Sequence, residues 1–181
     1  MSPPPSRPIL LVDGYNIIGF WAHLRKQRDL DGLETARRAL SEELINYSSF
    51  QGLDTRLVFD AYSQYSPLVR EKITDHVSVY YTDFGQTADS FIEKTCASLR
   101  PVTRNFKQRL IVATSDRAQQ LTVIGYGAEW LSAEQLGHEV QQAARRAQRH
   151  HQPRQKKGHS LLKSSLDAES QRRLTQLLQG L

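Results

Sequence analysis

Five acidic residues stand where a parallel sheet would gather them. Asp13 ends the apolar run Ile9–Val12, Asp60 ends Leu57–Phe59, and Asp116 follows Leu110–Ala113. Asp89 falls in the first turn of a helix that Thr87 is placed to cap, after the run Val77–Tyr81. Glu93 is four residues on, hence on the same helical face. Each acid alone has a structural use. Asp13-Gly14 is an ordinary turn pair, Asp116 suits an N-cap, and Asp89 suits the positive end of a helix. Taken singly, those uses are the stronger reading. Taken together, carboxylates at one rim repel unless a cation sits between them. Mg²⁺ or Mn²⁺ takes such hard oxygen ligands and keeps waters for a substrate phosphate. The ion activates water and offsets the developing phosphate charge. The constellation therefore suits metal-assisted phosphodiester hydrolysis, with the acids as ligands rather than nucleophiles.

Other chemistries are poorly served. The chain has no Gly-x-x-x-x-Gly-Lys loop, no Gly-x-Gly-x-x-Gly after its first strand and no Gly-x-Ser-x-Gly elbow. The six histidines show no zinc-like spacing. Cys96, the single cysteine, excludes an intramolecular disulfide, and its helical position makes it a packing residue.

The elements that must position the acids follow from periodicity. Ile9–Val12, Leu57–Phe59, Val77–Tyr81, Leu110–Ala113 and Ala128–Leu131 read as short buried strands. Leu33, Ala36, Leu40, Leu44 and Tyr47 space a helix from about Leu33 to Phe50, with Gly52 just past its end. Ala88, Ile92, Cys96 and Leu99 space a second, closed by Pro101. A third runs from about Arg117 to Ile124. A fourth starts at Ser132, with Gln135 completing a capping box, and continues to about Arg149. Strands alternating with helices imply an α/β fold with a mostly parallel sheet covered on both faces. Ligands of such sheets bind beyond the carboxyl ends of the strands, where the acids fall. Tyr15, Phe20 and Trp21 read as following Asp13 in a loop at that edge. Phe20 and Trp21 are read as packing under it, and Trp130 as core.

The 181 residues suit one domain with an appendage. Residues 1–8, Met-Ser-Pro-Pro-Pro-Ser-Arg-Pro, read as a disordered tail rather than a secretory signal, since no apolar h-region follows. Residues 9–140 form the expected domain, and 141–181 a basic helical extension with a linker at about 150–160 and a last helix over 165–179. The net charge of +5 is unevenly spread. Residues 141–181 hold nine Lys or Arg against two acids, and 1–140 hold fifteen against seventeen. A near-neutral body with a basic tail suits a polyanionic partner, or a solvated helix that only aids solubility. No apolar run approaches the roughly 20 residues of a membrane helix.

Leu11-Val-Asp-Gly-Tyr-Asn-Ile-Ile18, Val58-Phe-Asp-Ala61, Thr87-Ala-Asp89, Ala113-Thr-Ser-Asp116 and Gly127-Ala128 through Ser132-Ala133 closely resemble the YacP-like branch of the NYN-domain proteins, within the PIN-like nuclease superfamily. The match runs in order from about residue 8 to 140. It implies a PIN-like three-layer sandwich, an acidic pocket holding Mg²⁺ or Mn²⁺, and endoribonuclease activity. Asp13, Asp89 and Asp116 match the family's pocket acids and Asn16 the polar residue of its first motif; Asp60 lies in a recurrent motif. The family often has an acid just before Thr-Ala-Asp, where this chain has Gln86, and Glu93 is placed to compensate.

The expectation is a cytoplasmic metal-dependent endoribonuclease of RNA decay or processing. Arg145, Arg146, Arg149, Lys156 and Lys157 would contact phosphates, which carries affinity without sequence information. Tyr15 is placed to stack on unpaired bases, and Arg117 to hold a phosphate or pair with a pocket acid. Two alternatives stay open. One is a catalytically inactive RNA- or ribosome-binding module, suggested by Gln86. The other is a nuclease acting on DNA flaps, because no motif here reads a 2′-hydroxyl.

Overall fold

The computed structural model describes residues 6–61, 67–99 and 108–151. The elements are β1 (Ile9–Asp13), α1 (Gly14–Phe20), α2 (Ala22–Asp31), α3 (Leu33–Gln51), β2 (Asp54–Phe59), β3 (Val69–Lys72), β4 (Val77–Tyr81), α4 (Ala88–Ser98), β5 (Leu110–Ala113), α5 (Arg117–Gly125), β6 (Glu129–Leu131) and α6 (Ala133–His151). The strands form one sheet in the order β3-β4-β2-β1-β5-β6. All pairs are parallel except β3–β4.

All of β1 is buried, as a central strand covered on both faces must be. Its side chains alternate between two cores. Leu10 and Val12 join Leu57, Phe59 and Ala113 beneath Ile17, Ile18, Leu40, Leu44, Leu136 and Val140 of α1, α3 and α6. Ile9 and Leu11 join Val58 and Val112 beneath Ala88, Ile92, Cys96 and Val123 of α4 and α5. The architecture is therefore a helix–sheet–helix sandwich, as expected. Each fully buried Leu or Ile contributes roughly 1.5–3 kcal/mol.

Three expectations are corrected. The stretch after Asp13 forms two helices rather than a loop. Asp13 starts the first by accepting the Asn16 N–H (3.2 Å), and Gly14 lets α1 lie against the sheet. A Cβ on Gly14 would come within 2.1 Å of the Phe59 ring. Strand β3 is an additional antiparallel edge, and all four of its residues are exposed. Trp130 is 38% exposed rather than core, since it lies on the edge strand β6; its indole N–H donates to the Thr114 carbonyl (2.8 Å). Elsewhere the helix-end signals hold, although Phe20 is exposed rather than packed and the Gln135 amide turns to Glu139, which leaves the expected capping box half made. Gly52 ends α3 in the left-handed conformation (φ 67°). Thr87 caps α4 through the Ser90 N–H, and the Ser132 hydroxyl accepts the Gln135 N–H.

Residues up to Ala147 form one compact unit. The second unit, 148–181, enters the described residues only as the end of α6. Lys156, Lys157, most of the expected linker, the expected last helix and Pro101 lie outside the described residues. Among the described residues, no helix is long and apolar enough to cross a membrane.

Candidate active site

The chain builds β2 and then β4 on one side of β1, and β5 and β6 on the other. The strand order thus reverses beside β1, which opens a crevice at the carboxyl ends of the strands. Four aspartates meet there. Asp13 is the last residue of β1, Asp60 follows β2, Asp89 is in the first turn of α4, and Asp116 caps α5 after β5.

Short hydrogen bonds fix their directions. Asp13 Oδ1 accepts from Asn16 N, and Asp116 Oδ1 from Gln119 N (2.9 Å). Asp60 Oδ1 accepts from Ala88 N (2.6 Å), tying the end of β2 to the start of α4. Thr82 pins the neighbouring turn by accepting from Ala61 N and donating to the Gln86 carbonyl. Asn16 Oδ1 accepts from Ser115 N (2.7 Å), Ser115 Oγ accepts from Ala133 N, and the Ala133 carbonyl accepts from Trp21 Nε1. This chain locks the ends of β1 and β5 and the starts of α1 and α6 into one frame. The capping roles read from sequence are thus real, and they also aim the acids.

The electrostatics are unfavourable without a cation. Burial, opposed by the Asn16 bond and reinforced by Asp89, Asp60 and Asp116, raises the Asp13 carboxyl to about 6. Asp89 is also raised, by partial burial first and then by Asp116 and Asp60; bonds from Asp13 and Gln119 oppose this. The leading influences on both are burial and other carboxylates, with no Lys, Arg or His among them. A proton on Asp13 partly relieves the repulsion by donating to Asp89. A divalent ion would relieve it further. The donor set fits one: it is all oxygen, and Gln119 adds an Oε1 that is buried without a hydrogen-bond partner. Among the described residues, no three acidic, His or Cys side chains stand at coordinating positions.

The other expected site residues are placed as follows. Glu93 lies one turn along α4, where it acts on Cys96 rather than standing among the leading influences on Asp13 or Asp89. Burial, with Glu93, pushes the Cys96 thiol up to about 11, as befits a packing residue. Tyr15 is partly buried against Phe59, with its hydroxyl bonded by Arg37. Arg37 is itself buried and faces the Tyr15, Phe59 and Tyr81 rings. Trp21 is core, whereas Phe20 is 49% exposed beside a cavity of about 300 Å³ shared with His23, Glu43, Glu134 and His138. Arg117 is exposed next to Asp116. Arg145 and Arg146 are also exposed, but about 18–20 Å along α6 from Ala133. Arg146 covers Phe50 at the end of α3. Arg149 is exposed on the last turn of α6.

A cavity of about 510 Å³ lies at the other end of β5 and β6, around Cys96, Arg109 and Tyr126, away from the four aspartates.

A family model, the YacP-like NYN domain, matches residues 10–179. The chain belongs to that family. The uncharacterized protein YacP of Bacillus subtilis (strain 168) is 39% identical over 142 residues, 78% of this chain and 79% of that protein. Two crystal structures of Rae1 (YacP) from Bacillus subtilis, one of them a point mutant, each match with a TM-score of 0.63. The mutant is 35% identical and covers 78% of this chain and 79% of that one; the other is 36% identical and covers 78% of each. The NYN family belongs to the PIN-like nuclease superfamily, so the fold expected from sequence and the nuclease class agree.

Sequence reasoning missed Gln119, whose Nε2 donates to Asp89 Oδ1 (2.6 Å). Its signal was present: Asp116-x-x-Gln119 has capping-box spacing.

Proposed function

We propose that this YacP-like NYN protein is a cytoplasmic metal-dependent endoribonuclease that hydrolyses RNA phosphodiester bonds in decay or processing. The observation that carries the reading is the convergence of four carboxylates from four elements on one crevice, with Asp13 raised to about 6 by burial and by the other three. Asp13, Asp89 and Asp116 are the residues that would hold Mg²⁺ or Mn²⁺. Asp60 chiefly orients α4, and Glu93, one turn along α4, would be the next carboxylate along it. The bound ion supplies Lewis-acid chemistry: it lowers the pKa of water and offsets charge on the phosphodiester. The chain itself positions the ligands. Asn16 and Ser115 keep the ends of β1 and β5 in register, and Asp60 keeps Asp89 at the rim. Arg117, beside Asp116, and the exposed Phe20 are the groups to meet a phosphate and an unpaired base. Tyr15 is held against Phe59 by Arg37 and would reach an unpaired base only at the site's margin, and Asn16 has an amide nitrogen to offer. Arg145, Arg146, Arg149, Lys156 and Lys157 provide non-specific attraction for RNA, or for the ribosome as a larger RNA assembly.

Gln86, where the family often has an acid, motivates the second reading, an inactive RNA- or ribosome-binding module. End-labelled single-stranded and hairpin RNA, incubated with the protein in Mn²⁺ or Mg²⁺, separates the two. Internal cuts that vanish in EDTA and fall at least about 100-fold in Asp89→Asn are expected. RNA bound but uncut, with or without ribosomes, would favour the binding module. Preferential cutting of DNA flaps would change the substrate.

A further inference from the structure

Gln119 is 97% buried and bonds to two of the four acids of the site. In an ordinary capping box, the Gln at the third helical position bonds back to the N-cap N–H. Here Thr114 Oγ1 takes the Asp116 N–H instead (3.1 Å), and Gln119 turns to Asp89, an acid from another helix (2.6 Å). Its own N–H still caps α5 by donating to Asp116. One residue therefore grips two pocket acids, through its backbone and through its side chain. Because a carboxylate only accepts, the bond to Asp89 also fixes which amide atom faces it. Oε1 is then a buried acceptor with no partner.

We propose that Gln119 is a positioning residue of the acidic pocket: its side-chain amide aims Asp89 at a bound divalent ion, and its Oε1 accepts a hydrogen bond from water held there. This rests on the function proposed above. A purely structural amide would have both ends satisfied, since a buried unsatisfied oxygen destabilises the fold. Removing it should therefore leave the metal-free protein no less stable while weakening its hold on metal.

The test is Mn²⁺ affinity by calorimetry on the full chain, for wild type, Gln119→Met, Asp89→Asn and the double variant, with metal-free melting in EDTA alongside. Gln119→Met is expected to bind Mn²⁺ about 10–100-fold more weakly, with a metal-free melting temperature equal to or above wild type. In the double variant, Gln119→Met should add nothing to Asp89→Asn, because it acts through Asp89. With RNA, kcat should fall and KM hold. If Gln119→Met melts too low to assay, Gln119→Asn, which keeps the amide but not the reach, should show the same loss. Unchanged Mn²⁺ affinity, a loss of metal-free stability in both Gln119 variants, or additivity with Asp89→Asn would overturn the inference and leave the nuclease reading standing. A wild-type protein that binds no Mn²⁺ would overturn both.

Discussion

Asp13 concentrates the conflict in the site. It is buried at the end of the central strand, faces three other acids, and still caps α1. Its folded pKa of about 6 lies above the ordinary 3.8, so the native state holds the proton more tightly than the unfolded chain does. That contribution is fully present below about pH 4 and is lost as pH rises through about 6. The shift corresponds to roughly 3 kcal/mol. In EDTA, Asp13→Asn should therefore melt higher than wild type at pH 8, with the difference closing near pH 4. Asn caps a helix about as well as Asp, so α1 should survive the change. Melting curves across pH check this; a variant that melts lower throughout would show Asp13 to be structural. Added Mn²⁺ should raise the wild-type melting temperature and barely move that of Asp13→Asn.

At the scale of elements, α1 is what turns the end of β1 into a site, and its approach to the sheet depends on Gly14. With a Cβ due 2.1 Å from Phe59, Gly14→Ala must displace either the helix or the ring. It should cost about 1–3 kcal/mol in urea unfolding and lower cleavage by shifting Asp13; a neutral result would mean that α1 is loosely held. The same helix shows where sequence reading ran out. Strands β1, β2 and β5 were readable because β-rich runs ended in acids or small polar residues. Helices α3 and α4 were readable because their apolar spacing ran for three turns or more. Helix α1 has seven residues and starts from a cap that also reads as a turn, and α2 buries only Leu24. Neither shows a stripe. Strand β3 is exposed along its length and leaves no alternation to find. The acids could be found because each lies at or beyond the end of a strand; the spacing Asp116-x-x-Gln119 marked Gln119 only as a helix cap, and its bond to Asp89, 30 residues away, is made by the fold alone.

At the scale of the described residues, the acid rim lies at the carboxyl ends of the strands, whereas Arg145 and Arg146 lie far along α6, where Arg146 covers Phe50 at the end of α3, so chemistry and general RNA attraction should be separable. Arg145→Gln with Arg146→Gln should raise KM for RNA and leave the single-turnover rate unchanged. The slope of log affinity against log salt should become shallower by about 1–2, given ~0.7 per phosphate contact on a single strand. A fall in the single-turnover rate instead would place those arginines in the chemistry. The central claim, that the four carboxylates form a divalent-ion site, is tested most directly by anomalous diffraction from crystals grown with Mn²⁺. The account predicts a peak bonded to carboxylate oxygens of Asp13, Asp89 and Asp116, and its loss in Asp89→Asn. No peak at that rim with saturating Mn²⁺, or a peak confined to other residues, would contradict it.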